Sequence, residues 1–528
     1  MSMDVPRSPS LTSHEPRRQA QLVPGTPASR PGARNGRSGL AALRTRGLAC
    51  AGATLICLYL LATLTRSAWL VGLANLVGPV TLGAVAAASA YRLIRRQPLA
   101  IWTPYAWFLG AVVLFYSLGP LVYVFGRDEV LNYLDASLPI RVGPAQLLNA
   151  NLLNAVGILA VVVGFRLARF VWKGPRPVVR TARANLARVK PVALWLLLIG
   201  GALQYFLILP WEFGVYHFVL PGVIYNLGNL ILFGLAGVAY ISASGHKRWA
   251  LPLYLFWPPQ VLIALLHFSK TSLILSLLLP VLGFYLANKS TKRLLLAGLA
   301  MGLAYVSVAQ LVHYGRSEIN DLAGNINHAS LGERLAIFGR WLGGERQSYE
   351  FLSPFDLSPA ETGWTRLSFV AVQAFAMDRY DTGLPGDTLK SAFIVLIPRI
   401  MWPSKPVTVD VAKDFYELVS GQRGDTYLGL GIFGEGYWNL GWFGVTLLGA
   451  LTGVAFWVIS AFAMHWMRNG EIAYMPGIFL GINMGVLGTT QFFANAIVGG
   501  CGFLAVYALV ISRALHMISG RDAGAGRR

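Results

Sequence analysis

Charged residues are scarce in this sequence. They make up 13% of its 528 residues, whereas 55% are hydrophobic. Soluble domains usually carry about 25% charged residues, so this chain could not cover a folded surface with polar side chains. The mean hydropathy of +0.54 agrees. The composition therefore excludes an ordinary soluble globular protein.

Cysteine and acidic residues are also rare. The three cysteines, Cys50, Cys57 and Cys501, lie within apolar runs and show neither a disulfide framework nor the spacing of a zinc site. Acidic residues number 23 against 44 lysines and arginines, a net charge of +21. What the chain has in abundance is apolar runs of about 18 to 25 residues, long enough to cross a bilayer as helices. The sequence predicts an all-α polytopic integral membrane protein.

The apolar runs predict about twelve transmembrane helices. Nine lie in residues 48–313 and three in residues 439–515. The predicted spans are 48–65, 69–90, 103–125, 146–167, 191–210, 219–242, 250–268, 272–288, 294–313, 439–465, 472–490 and 497–515. Residues 1–47 contain eight arginines and few apolar side chains, which predicts a disordered cytoplasmic tail that can touch anionic lipid. Residues 516–528 form a second predicted tail.

Basic residues fall mostly on one side of these spans. With the N-terminus inside, 29 basic residues lie on cytoplasmic segments and only four on the short outer loops. Cytoplasmic loops carry such an excess in membrane proteins. The asymmetry predicts that both termini are cytoplasmic, and it accounts for the net charge without a nucleic-acid partner.

Residues 314–437 form a polar island in this apolar sequence. They carry 15 of the 23 acidic residues and 11 of the 44 basic residues. The charge asymmetry places them in one large extracytoplasmic loop, 314–438, where we expect function to reside. Within this loop, residues 391–401 predict a re-entrant or interfacial segment. Residues 363–377 predict a helix along the bilayer surface. For both, the alternative is packing inside a loop domain.

Cationic residues are expected at headgroup depth on this outer face. They are Lys270, Arg316, Arg366, Arg379, Lys390, Arg399 and Lys405. A polyprenyl-diphosphate-linked sugar has its tail in the bilayer and its diphosphate at this depth, where cations can bind it. The same cations would stabilise the charge on a leaving diphosphate, which leaves a base to deprotonate the attacking hydroxyl.

Two motifs carry a family resemblance. IPRIMWPSKP (397–406) and GEGYWNLGWFGV (434–445) resemble the Wzy-type polymerases of O-antigen and exopolysaccharide repeat units, which are related to O-antigen ligases. The helix plan and the late outer loop are similar, and Lys270 stands where these proteins often carry arginine. The resemblance implies a GT-C-like fold in the bacterial inner membrane. It implies an inverting, metal-independent glycosyltransferase that uses no cofactor and acts on undecaprenyl-diphosphate-linked oligosaccharide. The implied partners are membrane lipids, a chain-length regulator and a flippase.

Candidate roles follow from the resemblance and from position. Arg316, Arg399 and Lys405 are the first candidates to bind the diphosphate, followed by Lys270 and Arg423. Glu435 and His313 are the candidate bases, and Asp410 and Asp414 are weaker ones. Each has a structural alternative: the cations as snorkelling anchors, Glu435 as a helix cap, and His313 as an interfacial histidine. The asparagines at 149, 151 and 154 predict polar contacts between helices or a sugar path.

Other functions stay open at this point. A ligase would use the same donor and differ in its acceptor. An enzyme using monophosphate donors would need an acidic metal-binding first outer loop, which is too short here. A transporter or flippase for lipid-linked oligosaccharide would place ionisable residues within the spans, whereas this chain concentrates them in the outer loop.

Overall fold

Helices account for the regular secondary structure of the described residues. The computed structural model describes residues 46–138, 140–175, 182–216, 220, 227–323, 329–344, 357–397, 401–402, 404–406, 410–422, 427–469, 471–510 and 513. The predicted tails 1–47 and 516–528 therefore lie almost wholly outside the described residues. Uninterrupted apolar runs form helices here because a helix satisfies its own backbone hydrogen bonds without water.

The helices are numbered in chain order. They are α1 (Arg46–Thr65), α2 (Ala68–Arg96), α3 (Pro104–Phe125), α4 (Asp128–Ser137), α5 (Pro144–Val171), α6 (Val189–Glu212), α7 (Leu230–Ala243), α8 (Ala250–Leu266), α9 (Lys270–Asn288), α10 (Thr291–Ala323), α11 (Leu331–Leu342), α12 (Pro359–Thr365), α13 (Val370–Asp381), α14 (Lys390–Leu396), α15 (Asp410–Ser420), α16 (Gly431–Arg468), α17 (Met475–Leu487) and α18 (Ala494–Val510). Helical residues precede α6 from Ala182 onward. Several helices contain π segments, including Val112–Leu118 in α3 and Gln204–Ile208 in α6.

Eight helices among the described residues are long and apolar enough to cross a membrane: α1, α2, α3, α5, α6, α9, α16 and the stretch Lys247–Leu266 that contains α8. α10 becomes a ninth if its two parts, bent by 42°, form one span. The shorter apolar helices α7, α17 and α18 coincide with the remaining predicted spans. The chain is therefore a multi-pass membrane protein by the length and composition of its helices, and twelve crossings remains a prediction.

Small residues bring the central helices together. α5 packs against α16 so closely that a Cβ at Gly164 would lie 2.0 Å from the carbonyl oxygen of Ala450. A Cβ at Gly453 would lie equally close, at 2.0 Å, to the carbonyl oxygen of Val161. Glycine lets two helix backbones approach to this distance, as it does in other membrane bundles. α7 and α9 pack in the same way, since Gly283 faces the backbone of Ala236.

The loop helix α13 is part of the core. The predicted surface helix 363–377 is instead two helices, α12 and α13, and α13 packs against α5 and α16 with most of its residues buried. Gln373 and Asn154 exchange two side-chain hydrogen bonds of 3.1 and 3.0 Å. The packing alternative is thus the correct one for α13, and Asn154 joins helices. Asn151 does the same through Asn75, at 3.2 Å.

The other predicted interfacial segment keeps an apolar surface. α14 covers Lys390–Leu396, and Phe393 and Leu396 on it are 79% and 54% exposed. Val395 packs on Gly499 in α18. This exposed apolar edge is what a segment at the bilayer interface would present.

Candidate functional site

The turn between α8 and α9 is where several predicted site residues meet. It comprises His267, Phe268, Ser269 and Lys270, hereafter the 267–270 turn. Ser269 caps α9 by accepting a hydrogen bond of 3.3 Å from the backbone N–H of Ser272. Phe268 has φ +46° and a fully buried side chain. Positive φ is uncommon for a bulky residue, so the packing around the Phe268 ring must hold this turn in place.

α10 packs directly on the 267–270 turn. A Cβ at Gly315 would lie 2.2 Å from the Phe268 ring. The next residue, Arg316, donates from Nε to the carbonyl oxygen of Phe268 at 2.9 Å. On the same helix, the Tyr305 ring lies 5.3 Å from Lys270 Nζ, a cation–π contact. Arg316 and Lys270 are therefore both fixed at one turn.

Arg366 completes a group of three cations, hereafter the cationic cluster: Lys270, Arg316 and Arg366. Electrostatic repulsion acts between Lys270 and both arginines, and between the two arginines. In the described part of the chain, no carboxylate forms an ion pair with Arg316 or Arg366. Clustered like charges cost free energy that a bound anion would relieve. The cluster is chemically suited to bind a phosphate or diphosphate.

A separate set of contacts brings Arg366 to this place. α12 begins with a capping box between Ser358 and Glu361. Glu361 also accepts two hydrogen bonds from Arg127, at 2.8 and 3.0 Å, which hold the pKa of its carboxyl at about 2. Trp364 donates to the carbonyl oxygen of Leu118 at 2.7 Å. These bonds tie α12 to the end of α3, and Arg366 follows at the end of α12.

A buried contact joins His267 of the 267–270 turn to Glu212 at the end of α6. His267 Nε2 lies 2.8 Å from Glu212 Oε2, with side chains 13% and 9% exposed. Neither atom makes a hydrogen bond of regular geometry to a described residue. Both residues line a cavity of about 50 Å³ between α6, α7, α8 and α9, together with Gln204, Asn229, Gln260 and Ser276.

Arg334 on α11 lies close to this pair. Its guanidinium is buried and donates to the carbonyl oxygens of Leu266 and Ala329, each at 3.1 Å. Burial lowers the pKa of Arg334, an effect that Glu212 and Glu333 oppose. Arg334, Glu212 and His267 therefore lie together next to the cationic cluster.

Glu435 lies elsewhere, fully buried in α16. It accepts hydrogen bonds from the Thr388 hydroxyl at 2.7 Å and from the backbone N–H of Phe493. Asn439 also donates to Thr388, at 2.9 Å. Both carboxylate oxygens are thus occupied, and no described cation pairs with them. This geometry joins α16 to the segments before α14 and α18, and the predicted role of Glu435 as a base remains a prediction.

The remaining predicted residues are scattered. Lys405 Nζ donates to the carbonyl oxygens of Val395 and Ile397, at 3.2 and 2.8 Å, and so caps the end of α14. His313 lies on α10 one turn before Arg316, and its side chain is outside the described part. Arg399 and Arg423 are outside the described residues altogether. Asp410 and Asp414 lie on α15.

Sequence reasoning named two of the three clustered cations, Lys270 and Arg316, as candidate ligands and named Arg366 only as a residue expected at headgroup depth. It missed the Glu212–His267 pair and Arg334. One signal was present: Glu212 is an acidic residue at the end of an apolar run, and ionisable residues at such positions are functional candidates by default. Within the described ranges, no three His, Cys, Asp or Glu side chains form a metal-binding group.

Comparison with protein-family models, with curated proteins and with solved structures finds no match to this chain. The resemblance carried by 397–406 and 434–445 therefore remains a prediction. The functional argument depends on the geometry of the site itself.

Proposed function

We propose that this protein is a membrane glycosyltransferase that polymerises polyprenyl-diphosphate-linked oligosaccharide repeat units into a surface polysaccharide. It would act at the outer face of the bacterial cytoplasmic membrane. The observation that supports this most strongly is the cationic cluster, in which Lys270 and Arg316 are fixed at the 267–270 turn and Arg366 lies close enough to repel both. Twelve crossings, a GT-C-like arrangement and cytoplasmic termini are parts of the same proposal.

The chemistry requires few groups. The attacking sugar hydroxyl forms a bond to the anomeric carbon of the donor while the bond from that carbon to the diphosphate breaks. A diphosphate leaves without a general acid when cations stabilise its charge. Arginine can bind it through two parallel hydrogen bonds and lysine as a point charge, so the mixed cluster suits a ligand with several phosphate oxygens.

Two alternatives remain in view. An O-antigen-type ligase would use the same cluster and the same donor with another acceptor. A transporter would use the polar cavity that Glu212 and His267 line. The described residues enclose a cavity volume of about 50 Å³. The volume of a ligand pocket is usually about 300–1,000 Å³. The size of this cavity favours a site for a proton or a small group over a passage for an oligosaccharide.

The test uses purified protein in liposomes with undecaprenyl-diphosphate-linked oligosaccharide as the only substrate. A glycan ladder with matching release of undecaprenyl diphosphate is the expected result. We expect Arg316→Ala and Arg366→Ala each to lower kcat/KM by about 100- to 1,000-fold, because each removes a cation that stabilises the leaving group. Lys390→Ala is the matched control, since Lys390 is exposed and, among the described residues, forms an ion pair with Asp387 at 3.0 Å.

The outcomes separate the alternatives. If no ladder and no lipid release appear, the protein does not polymerise this substrate. A ligase would then release lipid only when an acceptor is added. A transporter would move a fluorescent substrate across the bilayer without breaking the diphosphate bond.

A further inference from the structure

We propose that His267 is the general base of this glycosyl transfer and that Glu212 positions it, an inference that rests on the proposed function. The two side chains lie 2.8 Å apart between Nε2 and Oε2 in a largely buried pocket. A carboxylate beside one ring nitrogen fixes the ring and stabilises the imidazolium that forms when the other nitrogen takes a proton. In this proposal Nδ1, the ring nitrogen that is not beside Glu212, accepts the proton.

Position along the chain supports this assignment. His267 immediately precedes Phe268, whose carbonyl oxygen binds Arg316, and it lies three residues before Lys270. The turn thus carries a candidate base and one candidate diphosphate ligand, Lys270, and its backbone binds a second one, Arg316. Glu435, by contrast, has both carboxylate oxygens occupied within the protein.

The surrounding charges explain why the histidine needs a carboxylate. Arg316 and Lys270 flank the turn, and Arg334 donates to the carbonyl oxygen of Leu266 just before it. These cations make the surroundings of the turn electropositive. Glu212 supplies a carboxylate beside the imidazole, and Arg334 is attracted electrostatically to Glu212. Without Glu212, proton uptake by the imidazole would add a further positive charge to an already cationic site.

The proposed step transfers one proton to His267 and one glycosyl group to the acceptor. The acceptor hydroxyl gives its proton to His267 Nδ1, and its oxygen forms the new bond to the anomeric carbon of the donor. The bond between that carbon and the diphosphate oxygen breaks, and the electron pair leaves with the polyprenyl diphosphate, which the cationic cluster stabilises. The imidazolium then releases the proton to solvent. The cavity beside Glu212 and His267 has room for one or two waters.

The experiment measures initial rates of polymer formation and lipid release in proteoliposomes. In His267→Gln, the amide nitrogen takes the place of Nε2 against Glu212, and the acceptor at Nδ1 is lost. We expect kcat to fall by about 100- to 10,000-fold with KM unchanged. Glu212→Gln should lower kcat in the same way, and Glu212→Asp should restore part of it because the carboxylate returns.

His246→Gln is the matched control, because His246 lies just before the opposite end of α8. Thermal unfolding and size-exclusion chromatography check that each variant is folded, and Glu212→Gln decides the matter if His267→Gln does not fold. If the wild-type protein is active and the variants keep its kcat, the inference about the base is wrong and the proposed function stands. If the wild-type protein forms no polymer and releases no lipid, the proposed function itself fails.

Discussion

Glu435 is fully buried and hydrogen-bonded inside the protein, which favours a structural role. Its oxygens accept from Thr388 and Phe493 at a point where three segments meet. We expect Glu435→Ala to lower the free energy of unfolding, because each partner left without a hydrogen bond costs about 1–3 kcal/mol. Glu435→Gln keeps the side-chain volume and one acceptor oxygen, so it should cost less. Thermal unfolding in detergent measures both changes.

Asp378→Ala is the control for these variants, since Asp378 is exposed on α13. The same samples should be assayed for polymer formation. If Glu435→Gln abolishes polymer formation while its melting temperature matches that of the wild-type protein, then Glu435 acts in catalysis and our structural reading of it is wrong.

The sequence predicts how deep a residue lies in the bilayer better than it predicts which side chains it contacts. Lys270 and Arg316 lie next to the ends of predicted spans, and a span end fixes the distance of a side chain from the bilayer centre. Glu212 and His267 end two different helices, and only the packing of α6 against α8 brings them to 2.8 Å. Such a pair leaves no periodic or spacing signal in the chain. The cations were therefore predictable and the pair was not.

Helices follow from the apolar runs, whereas their breaks depend on packing. Each predicted span overlaps a helix in the described residues, because hydrocarbon leaves the backbone no other partner. The tenth predicted span begins at 439, yet α16 begins at Gly431 and has non-helical φ and ψ at Leu440 and Gly441. Gly441 has φ +60°, and a Cβ there would lie 2.9 Å from the Tyr380 ring. The Tyr380 ring belongs to α13 in the loop. The sequence of α16 alone could therefore not predict this break.

The glycines between α5 and α16 provide a test at the level of elements. We expect Gly453→Ala to destabilise the protein by about 1–3 kcal/mol, because its Cβ would lie 2.0 Å from the carbonyl oxygen of Val161 and the helices must separate. Gly302→Ala on α10 is the matched control, since no atom lies within 4 Å of its Cβ. Alanine favours a helix by about 0.5–1 kcal/mol over glycine, so this variant should be neutral or more stable. Equal melting temperatures for the two variants would contradict the close packing.

Contacts between helix ends are compatible with the prediction that successive spans cross the membrane in alternate directions. The ends predicted to lie outside meet one another: Arg334 reaches Leu266, and Arg127 pairs with Glu361. At the ends predicted to lie in the cytoplasm, Arg468 approaches Gln97 at 3.5 Å. The charge asymmetry that predicts the topology and the contacts are independent observations. Together they sort the helix ends into two sets, and the side of the membrane that each set faces stays a prediction.

Which set faces outward can be measured by cysteine labelling in intact cells. The three native cysteines would first be replaced, since Cys50 and Cys57 are exposed. We expect a membrane-impermeant maleimide to label Glu129→Cys and Asp387→Cys in whole spheroplasts. Arg95→Cys and Lys247→Cys, which are equally exposed positions, should react only after the membrane is permeabilised, because positively charged loops stay inside. The reverse pattern would put the cationic cluster in the cytoplasm, where a polymerase of exported repeat units could not work.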